Sequence, residues 1–330
     1  MLEGVRTAAI IYNPLAGPRR DIRTDLLKKA QKVLADADIS AELVPTEAAG
    51  QAGALAVQAA MRGADLIVAC GGDGTLNEIV NGMTRDARAR RTPLAVLPAG
   101  TANVLAKELG IPWDLPRAAG LVRKGVPVRI SLGMMTTAES SGTSQRYFLS
   151  LAGAGPDAAL VHSVNVSLKL KAGVLAYWLE GAKQLFKYKF PKFRAKTETG
   201  EFDATLAVIG RTKHYGGPFR ITTGADLFGD EFEVVLFMSS SALRFLSYLP
   251  ATWFGQLPQL PDVRIVKTRR MNCVQLQDEN VFTQVDGEPV GKLPATFEIV
   301  PDALTLVVPE VVARELAGRR ENPVVQAARA

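Results

Sequence analysis

Residues 64–78 constrain the fold more than any other stretch of this 330-residue chain. Ala64–Cys70 (ADLIVAC) is apolar on both faces, so as a strand it belongs inside a sheet covered on both sides. It runs directly into Gly71-Gly72-Asp73-Gly74-Thr75-Leu76-Asn77-Glu78, and a short helical pattern spans Leu76–Met83. Neighbouring segments repeat the rhythm. Ala8–Tyr12, Ala41–Val44 and Leu94–Leu97 read as further strands, with amphipathic helices at Asp21–Ala37 and Gln51–Met61. Strands and helices alternating at this spacing predict a parallel α/β sheet, whose ligands bind outside the carboxyl ends of its strands.

From about Val128 the rhythm changes. Strand-like segments dominate, among them Val128–Met134, Arg146–Ala152, Ala204–Ile209, Glu233–Met238, Val263–Lys267, Val281–Val285, Thr296–Ile299 and Leu304–Val308. Their Gly, Pro and Asp turns suit an antiparallel sandwich. Two helical patterns interrupt them, at Ala158–Phe190 and Ser241–Gly255. The expectation is therefore two domains, an α/β domain over 1–130 and a β-rich domain over 131–309. The helical tail at 310–330 is expected to pack back on the first. Two cysteines and two histidines cannot assemble a zinc site, and they fit a reducing cytoplasm. The N-terminus carries no signal-peptide pattern, and no apolar run reaches 18 residues, so a soluble protein is expected.

Three strand ends carry unusual sequences on what would be one sheet edge. After the third strand, three glycines in four residues let the backbone approach a ligand that a Cβ would block. The amides of the following helix would then face that gap, where phosphate is favoured. Asp73 could hold a magnesium-bound water there, and Thr75 and Asn77 could donate to phosphate oxygens. The same string also reads as a plain turn with Asp73 as a helix cap. Pro98-Ala99-Gly100-Thr101-Ala102-Asn103 follows the fourth strand, where Thr101 or Asn103 could cap a helix or contact nucleotide. Asn13-Pro14-Leu15-Ala16-Gly17-Pro18-Arg19-Arg20 ends the first, with two arginines able to neutralise phosphate, or simply as a surface turn.

These strings, with Val285-Asp286-Gly287-Glu288-Pro289 late in the chain, resemble the diacylglycerol kinase catalytic domain family. That family includes bacterial lipid kinases and sphingosine kinases, and the resemblance covers most of the chain. It implies an NAD kinase/diacylglycerol kinase-like nucleotide domain followed by a β-sandwich-like domain. It implies ATP against Asn13, Pro14, Leu15, Ala16, Gly17, Thr46, Gly71, Gly72, Asp73, Gly74, Thr75, Leu76, Asn77, Glu78, Thr101 and Asn103. Glu288 would accept the proton of a lipid hydroxyl, with Asp286 assisting or binding metal, and Asp73 is the third candidate catalytic residue. Read from the residues alone, Asp286-Gly287 is a hairpin turn. The resemblance also implies a Mg2+ site at Asp230 with the carbonyls of Leu227 and Phe232. The chain departs from the pattern at Val104, where many bacterial members carry Asp, and at Asp230-Glu231-Phe232, which replaces the usual Asp-Gly pair.

The net charge of +6 is unevenly placed: residues 165–196 hold eight basic residues against Glu180 alone. Leu168–Phe193 reads either as a basic amphipathic helix on an anionic membrane or as a core helix with solvated lysines. A second aromatic cluster, Phe245, Tyr248, Trp253 and Phe254, suits an acyl-chain cleft or core packing. The expected partners are a lipid substrate and the inner face of a membrane, touched peripherally from the cytoplasm. Nucleic acid is not expected, and a homodimer is left open. Two other readings stand beside the lipid kinase. One is an NAD kinase-like enzyme, whose family shares the GGDGT loop; the other is a catalytically silent nucleotide- or lipid-binding regulator.

Overall fold

In a computed structural model, residues 2, 4–17, 23–139, 142–163, 188–216 and 219–321 are described. The chain divides into two compact units, Met1–Leu132 with Val300–Ala330, and Gly133–Ile299. Both divisions fall inside strands rather than in linkers. Where the sequence suggested 131–309 for the second domain, residues from Val300 on group with the first unit.

The first unit is built on parallel strands β1 (Thr7–Tyr12), β2 (Ser40–Pro45), β3 (Leu66–Gly71) and β4 (Leu94–Pro98), in the order β2-β1-β3-β4. Every residue of β3 and β4 is buried, as strands apolar on both faces require. Leu94 pairs in parallel with Leu306 of the last strand, Ala295–Val308. Helices α1 (Arg23–Ala35), α2 (Ala52–Met61), α3 (Asp73–Arg85), α4 (Val104–Glu108) and α5 (Leu115–Arg123) surround the sheet. Asp114 caps α5 by accepting from the Arg117 N–H at 2.9 Å. α1 packs on α5, and α2 on α3. Gly53 and Gly82 meet at the second crossing, where a Cβ on Gly82 would lie 2.5 Å from the Gly53 carbonyl oxygen.

The second unit is antiparallel. Its strands include part of β5 (Val126–Glu139), then β6 (Gly142–Phe148), β7 (Leu151–Ala154), β8 (Phe193–Thr197), β9 (Gly200–Ala204) and β10 (Leu206–Gly210). There follow β11 (His214–Gly216), β12 (Phe219–Arg220), β13 (Phe232–Phe237), β14 (Val263–Thr268) and β15 (Arg270–Gln275). β16 (Phe282–Val285), β17 (Glu288–Lys292) and the start of β18 (Ala295–Val308) complete it. One sheet runs β14-β13-β10-β7-β16-β17; β15 pairs with β8 and with the first residues of β18, and β8 with β9. Between them lie fully buried Phe148, Phe193, Phe232 and Phe297, with the Phe148 and Phe232 rings stacked at 5.6 Å. Each such ring, withdrawn from water, contributes on the order of 2–3 kcal/mol.

Helix α6 (Pro156–Ser163) occupies the start of the first helical pattern of this unit, and residues 164–187 lie outside the described residues. The membrane-helix reading of Leu168–Phe193 therefore rests mostly on undescribed residues. Of the four described basic residues of the 165–196 window, Lys189, Arg194 and Lys196 each pair with an acid, Glu279, Asp203 and Glu201, and Lys192 acts on Asp203 only through its charge. Helix α7 (Ala242–Trp253) splits the aromatic cluster. Phe245 and Tyr248 are buried against Phe237, while Trp253 and Phe254 are 62% and 72% exposed. The C-terminal helix α8 (Glu310–Glu321) follows β18. Among the described residues, no helix is long and apolar enough to cross a membrane.

Candidate active-site elements

The parallel register of the first unit brings four loops to one edge. Tyr12 pairs with Pro45 and Cys70, and Gly71 with Pro98, so the chain leaves β1, β2, β3 and β4 at the same level. The Asn13 N–H donates to the Cys70 carbonyl at 3.2 Å, and the Ala99 N–H to the Gly71 carbonyl at 2.9 Å. Thr46 joins the edge by donating its N–H to the Tyr12 carbonyl at 2.9 Å. The loops are held together by backbone contact that side chains would forbid. A Cβ on Gly100 would run into the Gly72 Cα, and one on Gly72 would lie 3.3 Å from the Gly100 Cα. Gly17, at φ +60°, closes against the Ala99 carbonyl.

Helix α3 begins earlier than the apolar pattern suggested, at Asp73 with Gly72 as its cap. The first-turn amides of such a helix have no acceptor within it and carry the positive end of the helix dipole. Asp73 is partly exposed, and its Oδ1 accepts the Val104 N–H at 2.7 Å. The departure at Val104 leaves this bond intact, because the backbone amide makes it. Asn103, in the left-handed conformation at φ 48°, folds its amide back on its own loop. Its Oδ1 accepts the Gly100 N–H at 2.9 Å, and its Nδ2 donates to the Gly100 carbonyl at 3.0 Å. Gly71, Gly72, Asp73, Leu76, Val96 and Asn103 line the small cleft so formed. Thr101, Pro14 and Leu15 are exposed; Ala16 and Gly74 are partly exposed. The Leu15 N–H donates to Asn13 Oδ1 at 2.8 Å, an Asx turn that shapes the first loop.

Other residues of the string face inward. Thr75 and Leu76 are buried, and Asn77 is fully so, with Asn81 Nδ2 donating to its Oδ1 at 3.1 Å. Glu78 accepts from the Gly50 and Ala52 N–H groups at 2.9 and 3.1 Å, so its carboxylate caps α2 from the neighbouring helix. Cys70 is buried, and desolvation pushes its thiol up to about 12, which leaves no thiolate nucleophile beside the glycines.

The buried Arg23 is the residue that sequence reasoning missed. It donates to the carbonyls of Asn13 (2.9 Å), Ala16 and Ala99 (3.3 Å), tying the first loop to the fourth. Its signal was present: Arg23, Leu27, Ala30 and Leu34 fall on one helical stripe and are all buried. Arg19 and Arg20 lie outside the described residues.

In the second unit, Asp286-Gly287 forms a two-residue hairpin turn between β16 and β17, at φ 47° and 81°. Positive φ at both positions is what an Asp-Gly turn of this hand requires. The Asp286 carboxylate accepts three backbone N–H groups, from Leu149 (3.0 Å), Ser150 (2.9 Å) and Leu151 (3.1 Å). Its own N–H donates to the Leu151 carbonyl at 2.7 Å. Glu288, the first residue of β17, is exposed. The hairpin thus holds one acid fast in backbone and presents the other to solvent.

The Asp226–Phe232 turn does not fit a resident divalent ion. The buried Arg211 guanidinium donates through Nη2 to the Leu227 carbonyl at 2.5 Å and through Nη1 to the Gly229 carbonyl at 2.7 Å. A fixed positive charge therefore sits against one of the three expected donors. Burial pushes Arg211 down to about 10, while Asp226 and Asp230 oppose that shift. Asp230 is exposed, and Phe232 is buried in β13. Among the described residues, no three His, Cys, Asp or Glu side chains cluster to hold a metal.

A parallel sheet with glycine-lined loops at its carboxyl edge, followed in the same chain by an antiparallel unit with an acidic hairpin, defines a class that comparison makes specific. The diacylglycerol kinase catalytic domain matches residues 7–135, and the YegS C-terminal NAD kinase beta sandwich-like domain matches 150–308. The chain belongs to the diacylglycerol kinase family. Among its relatives, a diacylglycerol kinase of Bacillus subtilis is 30% identical, covering 94% of this chain and 99% of its own length. One of Staphylococcus aureus is 29% identical, over 94% and 95%. The crystal structure of a diacylglycerol kinase from Bacillus anthracis shares the fold at a TM-score of 0.70 and 22% identity, covering 93% of this chain and 98% of that one.

Proposed function

We propose that this chain transfers the terminal phosphoryl group of MgATP to a hydroxyl of diacylglycerol or a related lipid, at the cytoplasmic face of a membrane. The observation that carries the reading is the backbone contact between Gly72 and Gly100 at the carboxyl edge of the sheet, with the start of α3 beside it. Such an edge offers amides and close backbone approach to a triphosphate, with Asp73 at its border. Magnesium would come with the nucleotide as part of the substrate, and Asp73 would hold a water bound to it.

Glu288 accepts the proton of the attacking hydroxyl. The new bond joins the lipid oxygen to the γ-phosphorus, the bond from that phosphorus to the β–γ bridging oxygen breaks, and ADP leaves. A carboxylate there orients the hydroxyl and takes the proton late, as a loose transition state allows. Asp286, bound by three amides, fixes the turn that carries Glu288.

Asp73→Asn tests the nucleotide role without the hydrogen bond that an alanine would lose, because Asn Oδ1 still accepts the Val104 N–H. The expected result is a fall in kcat of about 100-fold or more with an unchanged melting temperature. Glu288→Gln should lower kcat similarly while leaving KM for ATP alone. Wild-type turnover in either variant contradicts the role given to that residue.

A further inference from the structure

A polar chain behind the Asp286-Gly287 turn reaches a carboxylate that the assignments above leave unused. Gln284, 1% exposed, stands in β16 just before the turn. Its Oε1 accepts the Gly287 N–H at 2.9 Å, and its Nε2 donates to Asp157 Oδ2 at 3.0 Å. The Gly287 N–H can only donate and the carboxylate accepts, so both partners dictate the same orientation of the amide. Asp157 lies in the first turn of α6 and is also hydrogen-bonded by the Tyr215 side chain.

Gly153 of β7 leaves just enough room. It pairs with Gln284 across the sheet, and a Cβ there would lie 3.0 Å from both Asp157 Oδ2 and Gln284 Nε2. Desolvation pushes the Asp157 carboxyl up, opposed by its bonds to Tyr215 and Gln284. An apolar side chain would avoid that cost, so the acid's presence calls for a gain elsewhere.

The hairpin shows where the gain lies. Asp286 is held through its carboxylate and its own N–H by the 149–151 segment, which leaves the next peptide, Asp286–Gly287, to be fixed by another group. Gly287 is a glycine at positive φ, with the widest freedom of any residue, and its N–H is the group the Gln284 amide takes. We propose that Asp157 is a positioning residue that orients the Gln284 amide, and through it the Gly287 peptide, so that β17 presents Glu288 in one direction. This inference rests on the role of Glu288 given above.

The test compares Asp157→Asn, Asp157→Leu, Gln284→Ala and the double variant D157L/Q284A. Two readouts are used: steady-state kinetics with MgATP and diacylglycerol vesicles, and hydrogen exchange over residues 284–290. D157L and Q284A should each lower kcat by about 10- to 100-fold with KM for ATP unchanged. The double variant should be no worse than either, because the residues act through one chain. Exchange over the turn should quicken in both, while D157N, whose Oδ1 still accepts from Gln284, stays near wild type in both readouts. Wild-type kcat and exchange in D157L, or fully additive losses in the double variant, would overturn the proposal. Should D157L not fold, unchanged exchange and kcat in Q284A overturn it instead. If the wild-type chain phosphorylates no lipid, the functional reading fails, and the exchange comparison alone decides whether the chain of bonds holds the turn.

Discussion

Arg23 spans two loops with one guanidinium, donating to the carbonyls of Asn13, Ala16 and Ala99. Gly17 of the first loop and Gly100 of the fourth both close against neighbouring backbone, so the spacing of those loops depends on a buried side chain outside the glycine strings. Hydrogen bonds from a charged donor are stronger than neutral ones, and losing them leaves carbonyls without partners. Arg23→Met should lower stability by about 2–4 kcal/mol and weaken ATP binding, checked by urea unfolding and calorimetry. Arg23→Lys should recover only part of the loss, since a single ammonium cannot reach all three oxygens as a fork does. Unchanged unfolding of R23M would remove the brace. At this scale the sequence was legible for what the glycines do and less so for what the polar residues do. Glu78 and Asn77 sit in the most informative string of the chain, yet one caps α2 and the other is buried against Asn81. Spacing along a strand-turn-helix unit locates the glycine turn, but which side chains turn inward depends on their neighbours in the fold.

Helix α7 shows how an element is fastened by one carboxylate. Asp262 accepts from Arg244 Nε and Nη2 at 2.8 and 2.7 Å and from the Tyr248 hydroxyl at 2.6 Å, two residues one turn apart on the helix. The Arg244 hydrogen bonds are the main reason its pKa is held down to about 2. A depressed carboxylate stabilises the fold fully above its unfolded value, near 4, and loses that contribution as pH falls through its folded value. Asp262→Asn should therefore melt below wild type at pH 6, with the gap closing toward pH 2. A gap that stays constant between those limits would show that the charge contributes nothing. Most elements were legible from their periods, because a parallel strand buried on both faces and a helical stripe leave clear patterns. The hairpin β8–β9 was not. Phe193, Ala195 and Thr197 alternate with Arg194 and Lys196 at period two, but in the sequence Arg194 and Lys196 count only for their charge, and no strand is expected between Phe193 and Ala204. The charges that suggested a membrane face are matched there across the hairpin by Asp203 and Glu201.

On the scale of the whole molecule, the order of the two architectures was legible, since the change from helical to strand rhythm near residue 130 follows from local sequence. The second division was not, because β18 continues as one strand from Ala295 to Val308 and offers no turn or linker to read. The Asp230 turn marks the other limit. Its acids suggested a metal, and only the fold reveals that Arg211, some twenty positions upstream, already supplies a cation to the Leu227 carbonyl. The central claim concerns the whole chain: it moves phosphate from ATP to a lipid. The most direct measurement is mass spectrometry of a total lipid extract incubated with the protein and MgATP carrying labelled γ-phosphate, with NAD supplied in a parallel reaction. The account predicts label in a lipid phosphomonoester formed from diacylglycerol or a lipid of similar headgroup, and none in NAD. Labelled NAD phosphate, or bound ATP with no labelled lipid from any fraction, would contradict it.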